Sequence, residues 1–391
     1  MPDADPSPAS DTEARAARWL TAWDEHDSHR TGTGGDAQGA AWLTREITAL
    51  RGAQTIEAFT FDRLEPVTCY LDIDGTKIPG VPVFDAPTTD AHGVSGHLGA
   101  VGGAGEIAAA EVSPAAVYTG EFRELRRTAR HRGLVVVCAG EAPGLALLNA
   151  EQFRTPYGAP AIQVASEDGP AVFAAAAKGM PARLVAESAR LTTRAANTVV
   201  TVRGRDPKRA PLVVLTPRSS WWQSTAERGG GLVCWLEALR AVVMAAPRRQ
   251  VVFAATTGHE LGHLGLDHFL ARRPGWDKPA GKGGAIWVHF GANLGAAGGR
   301  LTVMSTTDAL RTLAADQLEK AGHSAVHTAE KTVVPSGETR DIHRAGGTYL
   351  TLVGSNRLFH LPQDRWPDAV DLPAVARIAA AGARIVAALA A

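Results

Sequence analysis

The 391-residue chain is poor in cysteine: Cys69, Cys138 and Cys234 lie far apart and form no C-x-x-C pair. An odd count without a framework excludes a disulfide-built secreted domain and a cysteine zinc site. Net charge is also missing, because Lys+Arg and Asp+Glu both total 40, so no global field draws in nucleic acid or an anionic membrane. No run of about 18 apolar residues offers a membrane span. The start, MPDADPSPASDTEARAARW, lacks the basic region and apolar stretch of a signal peptide. A G-x-S-x-G elbow is absent, which leaves an α/β-hydrolase serine mechanism with little support. Gly102-Gly103-Ala104-Gly105 has no Lys-Ser/Thr after it, so it is no phosphate loop. What remains is the expectation of a soluble, cytoplasmic protein that meets a peptide or small molecule in a local pocket. Its oligomeric state is not legible.

The length suits two packed units, at roughly 100–200 residues per domain. Residues 1–11 are rich in Pro, Ser and Asp and read as a disordered lead-in. A helix is predicted over 14–23, and a second has Ala41, Leu43, Ile47 and Leu50 at helical spacing. IEAFTFDRL alternates like a half-buried strand. From 66 to 192 short β-like pieces (GLVVVCAG, APAIQVA, ARLVAES) sit among Gly/Pro turns, with one helix near 169–178. This stretch reads as an insert domain. Residues 12–65 and 193–391 make up the second unit, where NTVVTVRG, APLVVLTP, QVVFAAT and AIWVHFGAN alternate with helices. Continuous apolar strands between helices predict an α/β fold of three layers around a mixed, mostly parallel sheet. In such sheets the ligand site lies beyond the carboxyl ends of the strands.

One such end carries the strongest chemical signal, GHELGHLGLDHF. On a helix, His259 and His263 share one face with Glu260 beside the first, the H-E-x-x-H arrangement of two zinc ligands and a general base. A third ligand is not evident, since position 269 is Phe269 and His268 is out of phase. His289 reads as a structural histidine, and His92 and His97 as exposed.

The order of segments also resembles the co-catalytic zinc aminopeptidase family, the one that also holds the glutaminyl cyclases. The resemblance runs from an R-T-G segment (Arg30, Thr31, Gly32), through an insert like a protease-associated (PA) domain with LVVVCAG and PYGAPAIQVAS, to WLEALR and the closing FHLPQDRWPDAVD. It implies a peptide or amide substrate and a site departing from the two-zinc pattern. Arg218 stands where a first histidine ligand is expected, Ser220 at its orienting acid, and Gly291 near a second aspartate. The remaining positions, Glu227, Glu260 and His360, match the set with which glutaminyl cyclases hold one zinc.

The resemblance thus implies a zinc-dependent aminopeptidase-type hydrolase with at most one metal. His259 replaces the carboxylate acid/base, and His263 supports the ligands from one turn away. Three glycines (229–231) would absorb the longer side chain of Glu227. Arg218, Trp221 and Trp222 would shape the substrate end. The alternative is a catalytically inactive, peptidase-shaped binding or scaffold protein, with an Arg218–Glu227 pair in place of metal.

Overall fold

The computed structural model describes residues 8–128, 130–324 and 326–391. The chain enters through helices α1 (Pro8–Asp24) and α2 (Gly34–Ala49) and the long strand β1 (Gln54–Ile73). Of the predicted disordered lead-in, 1–7 lies outside the described residues and the remainder is already helical. The insert holds β2 (Thr76–Pro79), β3 (Val81–Pro82), β4 (Val94–Ala100), β5 (Ile107–Val112), α3 (Ala116–Thr119), α4 (Glu121–Thr128), β6 (Gly133–Cys138), β7 (Ala161–Val164) and α5 (Gly169–Ala177). Strand β8 (Pro181–Val202) returns to β9 (Leu212–Pro217), α6 (Gly230–Ala245), β10 (Val251–Thr256), α7 (Leu264–Ala271) and β11 (Ile286–Phe290). The last elements are β12 (Leu301–Ser305), α8 (Asp308–Lys320), β13 (Val326–Thr328), α9 (Thr339–Arg344), β14 (Thr348–Gly354) and α10 (Leu372–Ala390).

The main sheet has the order β13-β12-β14-β11-β9-β10-β8, with β1 beyond β8. Its centre (β10, β9, β11, β14) is parallel, while β8 and β12 join antiparallel. The central strands are buried on both faces, so alternate residues enter different cores. Leu212 and Val214 pack with Trp19, Leu236 and Ile385 under α1, α6 and α10; Val213 and Leu215 pack with Phe269 and Ile342 under α7 and α9. The three-layer α/β expectation agrees with this arrangement.

The insert is reached by a ribbon, not a hinge loop. β1 and β8 pair antiparallel from Gln54↔Val200 to Ile73↔Ala182, and their register slips between Pro66 and Thr68. One end of β8 pairs β10 in the main sheet, and the other pairs β4 of the insert. One apolar cluster (Leu64, Phe84, Leu147, Phe153, Trp221, Leu261, Leu264) joins insert to sheet. Against the expectation of no spanning run, α10 is long and apolar enough to cross a membrane, with mean hydropathy 1.6. Half of that stretch is buried, and the helix packs against α1, α6 and α8.

Candidate metal centre

The segment after β10 does not continue as the predicted helix. Gly258 (φ 82°) and Gly262 (φ 73°) are left-handed, and His259–Leu261 forms only a 3-10 turn before α7 begins at Leu264. A side chain at Gly258 would meet Leu264 Cβ at 2.7 Å, and one at Gly262 the Glu151 carbonyl at 2.8 Å. These two positions admit only glycine, and His263 follows them in the left-handed region as well (φ 62°). His259 and His263 therefore do not share a helical face, yet their rings lie 5.2 Å apart between centroids.

Between them comes a residue that sequence reasoning missed. Glu338, at the start of α9, has Oε1 3.0 Å from His259 Nδ1, and ligand atoms of His259, His263 and Glu338 all lie within 4.8 Å of one another. All three are buried. His263 Nδ1 donates to Asp341 Oδ2 at 2.6 Å. His263 Nε2 and Glu338 Oε2 are buried without a hydrogen-bond partner. His289, on β11, has Nδ1 against Thr339 and Thr351 (2.6 and 2.8 Å) and Nε2 3.6 Å from Glu338 Oε2. Two imidazoles and a carboxylate with partnerless donor atoms suit a divalent ion. Burial, then the positive charge of Arg228, pushes His259 down to about 4 against the pull of Glu338. Its ring is thus neutral near pH 7, the form a metal takes. Burial also lowers His263, but Asp341 and Glu338 more than reverse it, so His263 is raised. Burial raises Glu338, and its histidines bring it well below the usual range. The predicted acid/base His259 and supporting His263 thus sit together in one candidate ligand set.

The ligand set implied by the resemblance does not assemble. Glu227, in a π-helical turn (Thr225–Gly229), has Oε1 3.4 Å from His360 Nε2. Glu260 is spent elsewhere: Oε1 accepts from Thr31 N and Oε2 from Ser219 Oγ, both at 2.7 Å. Burial raises its carboxyl against these hydrogen bonds. With one donor on each oxygen, Glu260 stands apart from the grouped ligand atoms of His259, His263 and Glu338. The predicted Arg218–Glu227 pair is also replaced. Arg218 Nη1 donates to Asp36 Oδ1 at 2.7 Å and Nη2 to the Ala196 carbonyl at 2.6 Å, clamping α2 to the sheet. The cation on Glu227 is instead Arg228, whose Nη2 lies 2.6 Å from Oε1 with both side chains buried. Burial raises Glu227, but Arg228 and then His360 bring it down to about 2. Residues 229–231 are tight, not pliant: a Cβ at Gly230 would meet the Leu294 carbonyl at 1.8 Å.

The aromatic pair has structural partners. Trp221 stacks on Phe84 with centroids 4.5 Å apart and donates to Asn149 Oδ1 at 3.0 Å. Trp222 Nε1 donates to the His360 carbonyl at 2.9 Å. None of Arg218, Trp221 and Trp222 lines the cavity of about 700 Å³ between insert and sheet, whereas His263 and Asp341 do, opposite Arg123, Arg126 and Tyr157 of the insert.

No sequence-family profile matches the chain, nor does any curated protein. Solved structures do match over the whole length. The zinc aminopeptidase BSAP of Bacillus subtilis superposes with a TM-score of 0.74 at 16% identity, covering 98% of this chain and 95% of that one. A peptidase M28 precursor of Shewanella amazonensis gives 0.75 at 14%, covering 98% and 96%. The glutaminyl cyclase of Fimbriiglobus ruber gives 0.52 at 12%, covering 98% of each chain. The fold is that of the zinc aminopeptidases and glutaminyl cyclases.

Proposed function

We propose that the chain is a metal-dependent hydrolase of peptide or small amide bonds that binds one zinc ion through His259, His263 and Glu338. The observation that carries this reading is the convergence of three buried ligand atoms within 4.8 Å, two of these side chains having an atom with no hydrogen-bond partner. Two histidines, one carboxylate and an open fourth position make a catalytic zinc set. Bound there, zinc would polarise a carbonyl and lower the pKa of water to about 7.

The chain's own residues prepare that set. Asp341 holds His263 by Nδ1, which turns Nε2 inward and fixes its tautomer. Thr339 and Thr351 hold His289 beside Glu338. The cavity at His263 is of a size that takes small ligands. Charges of both signs line it, including Arg123, Arg344, Asp267 and Asp341, which suits a substrate with polar ends. The insert walls this cavity, and its likeness to a PA domain is part of the same reading. Peptide-type substrates are supported by the likeness to the zinc aminopeptidase BSAP and to an aminopeptidase of Aneurinibacillus.

Purified protein incubated with zinc and desalted is expected to hold about one ion per chain and to hydrolyse a panel of aminoacyl-anilides. The His263→Ala variant is expected to lose both metal and turnover. Parent protein without metal after zinc incubation would sink the reading. The second reading, an inactive binding protein, is favoured by Arg228 on Glu227; absence of both metal and turnover in the parent would establish it.

A further inference from the structure

The pair Glu227–His360 is built like part of a cation site. The Nδ1 of His360 faces the Leu147 carbonyl, which can only accept. Nδ1 therefore carries the proton, and in the neutral ring Nε2 presents a lone pair. That nitrogen lies 3.4 Å from a carboxylate oxygen. A buried carboxylate facing an imidazole nitrogen needs a positive charge between or beside them, from a second ring proton or from another cation.

Here the charge is supplied by the chain. Arg228 donates Nε to the Ser219 carbonyl at 2.8 Å and brings Nη2 to 2.6 Å from Glu227 Oε1. The angles of this contact are not those of a hydrogen bond, so both Glu227 oxygens and both Arg228 Nη atoms lack such a partner. The contact is a charge pair, not a fork of matched hydrogen bonds. A divalent ion does not fit beside the guanidinium, which repels it and already neutralises the carboxylate.

We propose that Arg228 is a tethered cation in place of a metal ion, and that removing its guanidinium opens a divalent-cation site on Glu227 and His360. The inference is independent of metal at His259, His263 and Glu338, and is tested in a background from which that cluster has been removed. Full-length His263→Ala and His263→Ala/Arg228→Ala are titrated with cobalt(II), followed by visible absorption and by metal content after desalting. The expected result is no bound cobalt in the first and about one equivalent in the second. Adding Glu227→Gln should abolish the gain, and Arg228→Lys, which keeps the charge, should not produce it. If the Arg228→Ala chain folds only when cobalt is present, that too supports the proposal. Equal cobalt content with and without Arg228, an equal gain with lysine, or a fold lost and not restored by cobalt would each overturn it.

Discussion

Glu227 and Glu338 are both buried carboxylates beside imidazoles at the carboxyl end of one sheet, and they are neutralised differently. Glu227 has a guanidinium from the adjacent residue at 2.6 Å. Among the described residues Glu338 has histidines: His259 Nδ1 at 3.0 Å, His289 Nε2 at 3.6 Å and the raised His263, whose positive charge acts on it. A buried carboxylate must be paired in either case. A tethered arginine is permanently charged and closes its cluster to other cations. Imidazoles can shed protons and become ligands, which keeps the second cluster open to metal. Two neighbouring sites of similar composition thus differ in whether their positive charge can leave.

The largest effect that would break this contrast is expected from Glu338→Gln. It removes one of the three proposed ligands and should weaken zinc by upwards of about 100-fold, beyond the 10–100-fold typical of outer partners. Zinc competition with a chromophoric chelator measures it. Unchanged affinity would mean that the open cluster is not a metal site. Glu227→Gln acts on the closed cluster. It leaves Arg228 buried without its carboxylate, at a cost of about 3–5 kcal/mol in urea unfolding, while zinc binding at the other cluster persists. A loss under about 1 kcal/mol would show that the pair is a loose contact.

The contrast also explains what could be read in advance. The strand–helix order was legible because NTVVTVRG, APLVVLTP and QVVFAAT are continuous apolar runs that only a doubly covered sheet buries. The imidazole pair was legible as chemistry but not as geometry, since Gly258 and Gly262 interrupt the helix with left-handed turns. Glu338 lies 79 positions from His259 and meets it only through the tertiary fold. The available hint was H-E-x-x-H in search of a third ligand, with the acids of SGETRD opening a later helix. The role of Arg228 was not legible, because sequence gives charge but not burial; it is 1% exposed.

Asp341→Asn sharpens the open side of the comparison with a smaller effect. The amide cannot hold His263 Nδ1–H as a carboxylate does, so zinc affinity should fall about 10–100-fold, or roughly 1.4–2.7 kcal/mol. The Asp341 side chain is one-third exposed, so unfolding free energy should move by less than about 0.5 kcal/mol. A stability loss with unchanged zinc affinity would assign Asp341 to packing and remove it from the centre.

Glu260→Gln should do least, and it separates three accounts of one residue. As a zinc ligand, its loss would strip the metal; as the base of H-E-x-x-H, it would leave metal and stop turnover. The hydrogen bonds of Glu260 favour a third account, a structural tie. Its oxygens tie Thr31 N to Ser219 Oγ, and Ser219 Oγ in turn accepts from His259 N at 3.0 Å. Glutamine can still accept from Thr31 through its carbonyl. Its amide must then donate to a hydroxyl that already accepts from His259, and one charged hydrogen bond becomes a neutral one. The exchange should cost about 1–2 kcal/mol in unfolding free energy, with zinc content and turnover per bound zinc both retained. Metal lost at undiminished stability would return Glu260 to the ligand set and place the ion with Glu227. The contrast between an open and a closed cluster would then be reversed.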